Sequence, residues 1–232
     1  MVEIPRASLK AIARQLNELG ASWAFTGGAI IGLLMDKPAL GSTRPTDDVD
    51  VIIEILAQKD YAKIEARLRE LGFQNDDREG APMCRWLFRD HLTVDIMPTA
   101  GSFLGLSTKL FREALESSMT HHLDDVEIKV VSPPCFLAMK HEAFRDRGEG
   151  EYFASHDLED FITILDGREA IVEEVQAAQP TVSAYLQSAA RNLLESETFL
   201  EALPGHLTPD SASQRRLPLI LKKLKYLAAE KV

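Results

Sequence analysis

A chain of 232 residues with 45% apolar and 27% charged side chains can bury the core of one large domain or two small ones. This composition excludes a disordered chain, and no run of about 18 apolar residues indicates a membrane span. With 26 Lys and Arg against 36 Asp and Glu, the formal charge of −10 argues against nonspecific DNA binding by the whole surface. Because the N-terminus has no apolar signal region and the two cysteines make no disulfide framework, we expect a soluble cytoplasmic protein with no membrane partner.

Helical and strand patterns alternate over the first 132 residues. Apolar residues recur at helical spacing from Leu9 and stop at Gly20, a typical helix end. Short strands are predicted over 22–26 and 48–54, with an apolar helix after Gly28 and a second helix over 61–71. Two further strands, 84–89 and 92–97, are joined by Asp90-His91 as in a hairpin. The residues over 126–130 alternate as in a half-buried strand.

After Ser132 the periodicities are only helical: 135–147, 156–165, 168–178, 181–203 and a last helix from about 211. The sequence therefore predicts an α/β domain over 1–132 and an all-helical C-terminal domain over 133–232. The last helix is basic, and 210–232 carry a local formal charge of +4 from Arg215, Arg216, Lys222, Lys223, Lys225 and Lys231 against two acids. Such a run either holds a polyanion or is the solvated face of a terminal helix.

Gly27-Gly28 stands between a predicted strand and a predicted helix. Without a Cβ the chain can approach a phosphate closely, and backbone N–H groups at a helix N-terminus favour an anion. The pair therefore predicts a phosphate-binding turn, although most such pairs are ordinary turns.

Asp48 and Asp50 lie two residues apart at the start of a strand, so their carboxylates emerge on one face. Aspartate is disfavoured in strands, and two like charges this close repel unless they share a divalent cation. The alternative is that both carboxylates mark the solvated edge of a loop.

Asp95 interrupts the otherwise apolar strand 92–97, where an unpartnered charge is costly. If this strand lies beside the one bearing Asp48 and Asp50, three carboxylates converge as ligands that two Mg²⁺ ions need. A hydrogen-bonded edge-strand residue is the alternative for Asp95 alone.

In this order, Gly27-Gly28, Asp48-x-Asp50 and Asp95 resemble the signature of the nucleotidyltransferase superfamily that includes DNA polymerase β. Thr26-Gly27-Gly28-Ala29, Arg44-x-Thr46-x-Asp48-x-Asp50 and Val94-Asp95-Ile96 resemble, more narrowly, the abortive-infection (AbiE-type) toxin nucleotidyltransferases. That branch also carries Lys-x-x-Ala-x-x-x-Arg and Asp-x-x-Asp, which match Lys140 to Arg147 and Asp157 to Asp160. The resemblance covers roughly 20–165.

The resemblance implies a small mixed β-sheet flanked by helices, and transfer of a nucleoside monophosphate from a nucleoside triphosphate to a hydroxyl. It implies that Asp48, Asp50 and Asp95 hold Mg²⁺, or Mn²⁺ in its place, and that Asp95 also helps to deprotonate the acceptor. The residues implied for the nucleotide are Thr26, Gly27, Gly28, Arg44, Thr46, Lys140 and Arg147. For Lys140 and Arg147, an ion pair between helices with Asp157 and Asp160 is the alternative.

The sequence does not specify the acceptor or the biological role. RNA, such as tRNA, would suit the basic C-terminal helix. A protein hydroxyl and an aminoglycoside are the alternative acceptors. The resemblance implies the toxin of a toxin–antitoxin pair, with an antitoxin as partner. The rival readings are an antibiotic-modifying nucleotidyltransferase and a catalytically inactive protein that only binds the nucleotide.

Overall fold

The computed structural model describes residues 6–36, 46–55, 58–89, 91–100, 108–147 and 150–229. The chain forms two compact units, one from Met1–Ile30 and Arg44–Ser132 and one from Ile31–Thr43 and Pro133–Val232. The change of unit after Ser132 is where the helical periodicities begin. Of the described residues, 31–36 belong to the second unit, and the predicted domain bounds of 1–132 and 133–232 stay a prediction.

The first unit is built on one mixed sheet, which has seven strands within the described residues. Their order is β3-β4-β5-β2-β1-β7-β6. β2 pairs parallel with β5, and β1 pairs parallel with β7, whereas the other neighbours are antiparallel. The strands are β1 (Trp23–Thr26), β2 (Asp48–Ile53), β3 (Phe73–Asn75), β4 (Arg85–Phe88), β5 (Leu92–Pro98), β6 (Met119–Leu123) and β7 (Val126–Val130).

The helices of the first unit are α1 (Arg6–Leu16), α3 (Gln58–Glu70) and α4 (Phe111–Glu116), with a 3-10 turn at Gly28–Ile30. α1 buries the apolar stripe of Leu9, Ile12 and Leu16 and packs against β7. The centre of the sheet is largely apolar, because Val49, Val51, Ile52 and Ile53 of β2 are fully buried. Burial of such side chains contributes about 1.5–3 kcal/mol each to folding.

Helices are the only regular secondary structure among the described residues of the second unit. Its helices are α2 (Ile31–Leu34), α5 (Pro133–Arg147), α6 (His156–Gly167), α7 (Ile171–Ala177), α8 (Pro180–Glu195), α9 (Glu197–Ala202), α10 (Ser211–Gln214) and α11 (Leu217–Ala228), with a 3-10 turn at Leu203–His206. α5 packs against α6 and α8, and α11 packs against α6, α7 and α8. No helix in the described ranges is both long enough and apolar enough to span a bilayer.

The mixed sheet and the helical C-terminal part confirm the predicted fold class. Three details differ. β3, β6 and α4 are not predicted, because β3 and α4 are short and the polar residues Thr120, His121 and His122 leave β6 without apolar alternation. The predicted helix 181–203 is interrupted at Ser196, whose side chain caps α9 by accepting a hydrogen bond from the Phe199 N–H. The last predicted helix is divided at Arg216, one residue before α11.

Candidate active site

Four polar residues form a row straight across the centre of the sheet. On β1 Thr26 lies opposite Asp50 of β2, which lies opposite Asp95 of β5, which in turn lies opposite Arg85 of β4. Residues that are paired in register project to the same side of a sheet, so the four side chains share one face. Asp48, two residues before Asp50, projects to that face as well. The strands that carry Asp48, Asp50 and Asp95 are therefore neighbours, which is the condition on which the three-carboxylate site depends.

Gly27 provides the space that the Asp50 carboxylate occupies. A Cβ on Gly27 would lie 1.8 Å from Asp50 Oδ2, and the residue has a φ of +73°, which side-chain-bearing residues rarely adopt. Gly28 is less restricted, since its Cβ would lie 3.4 Å from the Thr46 Cβ. The helix expected after the pair begins as a 3-10 turn and continues as the four residues of α2. The structure therefore explains Gly27 by the close approach of Asp50, and its predicted contact with phosphate stays a prediction.

Thr46 fixes the orientation of Asp48. Its hydroxyl Oγ1 donates to Asp48 Oδ1 at 2.8 Å, and the threonine side chain is buried. Thr46 thus acts on a carboxylate in this structure, and its predicted role toward the nucleotide, like that of buried Thr26, stays a prediction. Arg44 lies outside the described residues.

Asp95 is held by Arg85, which motif-based reasoning did not identify. Arg85 Nε and Nη2 donate to the two Asp95 carboxylate oxygens, each at 2.8 Å, and Nη2 lies 3.7 Å from Asp48 Oδ2. This hydrogen bond with Asp95 raises the Arg85 pKa further above its usual value, so the guanidinium stays charged. The predicted Asp90-His91 turn gives no such signal, because counting outward from it brings Trp86 opposite Asp95. In the structure Phe88 pairs with Leu92, and this register brings Arg85 opposite Asp95.

Cys84 lies beside the row but is not a nucleophile. Burial, with smaller contributions from the charges of Asp95 and Asp50, raises the pKa of its thiol to about 11. A thiol with this pKa is protonated at neutral pH, and the thiolate is the reactive form. The chemistry of the row is therefore that of its carboxylates.

The donor set fits a hard divalent cation, since Asp48, Asp50 and Asp95 supply only carboxylate oxygens from neighbouring strand positions. Their side chains are nevertheless not gathered: among the described residues, no three acidic, histidine or cysteine groups lie close enough together to hold a metal ion. Asp95 is oriented toward Arg85 and Asp48 toward Thr46. The backbone thus brings the three acids to neighbouring strand positions, while the side chains of Asp95 and Asp48 are hydrogen-bonded to Arg85 and Thr46.

The comparisons with known proteins identify the family of this chain. The family model described as the nucleotidyl transferase AbiEii toxin of type IV TA systems matches residues 10–229. The chain belongs to this family. It is a nucleotidyltransferase, as the order of Gly27, Asp48, Asp50 and Asp95 indicated. No curated protein matches the chain.

Two solved structures are similar to the chain. An antigenic nucleotidyltransferase-like protein from Paracoccidioides brasiliensis is similar with a TM-score of 0.54 and 18% identity, over 95% of this chain and 92% of that one. The antibiotic-resistance factor ANT(2'')-Ia is similar with a TM-score of 0.45 and 16% identity, over 81% of this chain and 97% of that one. At 18% identity, the first likeness shows only that this AbiEii family member has a nucleotidyltransferase-like fold.

The motif residues in the second unit of this AbiEii-family nucleotidyltransferase form an ion-pair cluster between α5 and α6. Lys140 Nζ lies 2.6 Å from Asp160 Oδ2 and 3.1 Å from Asp157 Oδ1. Arg147 Nη2 lies 2.9 Å from Asp157 Oδ2. Asp160 is only 1% exposed, so Lys140 neutralises a charge that would otherwise be buried alone. The interhelix ion pair, one of the two alternatives, is thus present, and the contact of Lys140 and Arg147 with nucleotide phosphates stays a prediction.

Proposed function

We propose that this AbiEii-family nucleotidyltransferase transfers a nucleoside monophosphate from a nucleoside triphosphate to a hydroxyl group. In the reaction, the acceptor oxygen forms a bond to the α-phosphorus as the bond from that phosphorus to the β-phosphate oxygen breaks. Pyrophosphate leaves with the electron pair, and the hydroxyl proton passes to the Asp95 carboxylate and then to solvent. The single observation that supports this proposal most is the alignment of Asp50 with Asp95, with Asp48 on the same face.

Asp48, Asp50 and Asp95 would hold the divalent ions, Mg²⁺ or Mn²⁺. When bound, such ions neutralise the charge that develops on the phosphates and activate the attacking hydroxyl. The protein itself contributes positioning: Gly27 admits the Asp50 carboxylate, and Thr46 orients Asp48. Phosphoryl transfer depends largely on such placement and on charge, so small displacements of these carboxylates are expected to be costly.

RNA is the acceptor that we propose, and the biological role that we propose is the toxin of a type IV pair with an antitoxin as partner. The family description supports the toxin role. The basic C-terminal helix supports RNA only in part, because Arg216 pairs with Asp166 and Lys223 donates to backbone carbonyls of 165 and 168. Arg215, Lys222 and Lys225 are exposed. We propose the cytoplasm, where RNA is present, as the place of its activity.

The proposal is tested by incubating the protein with each labelled nucleoside triphosphate, Mg²⁺ and three separate acceptors: total RNA, protein extract and an aminoglycoside. Asp48→Asn is the test variant and Asp47→Asn its matched control, since Asp47 precedes β2 and is exposed. We expect transfer to RNA that is lost in Asp48→Asn and retained in Asp47→Asn.

Transfer to protein or to the drug alone would overturn the RNA proposal and keep the nucleotidyltransferase reaction. Tight nucleotide binding without transfer to any acceptor would support the rival reading, an inactive nucleotide-binding protein. Equal activity of the two variants would contradict the assignment of Asp48.

A further inference from the structure

The guanidinium group of Arg85 lies where a cation bound by Asp95 and Asp48 would lie. Its fork engages both Asp95 oxygens at 2.8 Å, and its Nη2 is 3.7 Å from Asp48 Oδ2. These carboxylates come from different strands, and Arg85 comes from a third, β4. A single guanidinium therefore bridges two of the three acids to which the proposed function assigns divalent ions.

This bridge compensates for charge in the metal-free protein. Three carboxylates on neighbouring positions of two strands repel one another, and one positive group removes part of that repulsion. An arginine fork on a carboxylate is also among the strongest ion-pair geometries, because both hydrogen bonds are charge-assisted. The side chains of Arg85 and Asp95 are 27% and 13% exposed, so solvent screens this pair only partly.

The same pair opposes a divalent ion. Asp95 cannot turn toward an ion shared with Asp50 while both of its oxygens face Arg85, and the guanidinium charge repels an incoming cation. This agrees with the finding that no three ligand groups are gathered in the part of the chain that the structure describes.

We propose that Arg85 is a positioning residue that acts as an internal counter-cation, pairing with Asp95 in the metal-free protein and releasing it when a divalent ion binds. The proposal rests on the proposed function, because it takes Asp48, Asp50 and Asp95 as ion ligands. Arg85 then lowers the affinity for the ion while stabilising the metal-free fold. A purely structural pair would leave the affinity unchanged, and a pair that presents Asp95 to the ion would raise it.

The test is a titration of the full chain with Mn²⁺ alone, followed by electron paramagnetic resonance of the free ion. The variants are Arg85→Gln, Arg85→Lys, Asp50→Asn and, as matched control, Arg14→Gln. Arg14 is also an arginine of the first unit paired with an aspartate, Asp125, and is not part of the row. Thermal unfolding with and without Mg²⁺ provides a second measurement that does not depend on activity.

We expect Arg85→Gln to bind Mn²⁺ about tenfold or more tightly, the size expected for removing one charge a few Å from a divalent ion even at the dielectric of water. Arg14→Gln should match the wild type. Arg85→Lys, which keeps the charge without the fork, should fall between the two and serves if Arg85→Gln does not fold. Added Mg²⁺ should raise the Tm of the Arg85 variants more than that of the wild type.

Unchanged or weaker Mn²⁺ binding in the folded Arg85 variants would overturn the counter-cation proposal alone, provided that Asp50→Asn still abolishes binding. If instead the wild type and Asp50→Asn bind Mn²⁺ equally, the ion site itself is wrong. The proposed function then fails together with the inference drawn from it.

Discussion

Replacing Gly27 with alanine should displace the Asp50 carboxylate. The new Cβ would be placed 1.8 Å from Asp50 Oδ2, whereas ordinary contacts begin at 3.4 Å, so the oxygen must move by more than about 1 Å. A misplacement of about 1 Å in a group that positions reactants costs about 100-fold in rate. We therefore expect kcat to fall about 100-fold in Gly27→Ala.

Gly20 provides the matched control, because it also has a positive φ, +76°, but its Cβ would meet nothing within 4 Å. Both alanine variants incur backbone strain of about 1–2 kcal/mol, measured by urea unfolding. Only Gly27→Ala should lose activity and Mn²⁺ binding, measured by labelled-nucleotide transfer and by metal titration. The reasoning is refuted if the two variants are equally active, or if Gly27→Ala loses activity with its Mn²⁺ affinity intact.

Three further predictions concern stability and reactivity. Lys140→Met should lower the free energy of unfolding by about 3–5 kcal/mol, because it leaves Asp160 buried without its cation. The control is Lys222→Met, since Lys222 is exposed. Equal urea midpoints of the two variants would contradict the prediction. Burial lowers the pKa of His141 to about 4, so the unfolded chain alone takes up this proton below its ordinary pKa of 6.5. Stability should fall by about 3 kcal/mol from pH 6.5 to 4, and His141→Gln should lack this part of the dependence in parallel unfolding curves. Because the Cys84 thiol is buried and has a pKa of about 11, it should react with a thiol reagent at pH 8 only as fast as the protein unfolds. Rapid labelling of this thiol in the native protein would be inconsistent with the structure.

The central strands and their acids could be predicted from the sequence because their signals are local. Apolar alternation defines β2 and β5, and an aspartate in such a strand stands out as costly. The parallel pairing that brings Asp50 opposite Asp95 is a long-range contact, and periodicity alone does not specify it. In the sequence analysis this pairing is only a condition for the three-carboxylate site, and the structure provides the register.

The roles of individual side chains were harder to predict, since they depend on atoms from distant segments. The reason for glycine at 27 is the Asp50 carboxylate, which is 23 positions away in sequence. The role of Arg85 has no local signal, because an arginine in a strand is unremarkable until its partner is known. The place of 31–36 in the second unit likewise depends on packing, such as that of Met35 against Gly167, which no local pattern reveals.

The central claim is that Asp48, Asp50 and Asp95 together bind the divalent ions of a nucleotidyltransferase. Its most direct test is a crystal structure of the full chain with Mn²⁺ and a non-hydrolysable nucleoside triphosphate, with anomalous scattering used to locate manganese. We expect manganese at about 2.0–2.3 Å from carboxylate oxygens of Asp48 and Asp50, and Asp95 rotated away from Arg85. Manganese bound elsewhere, with the Asp95–Arg85 pair intact beside a bound nucleotide, would contradict the account.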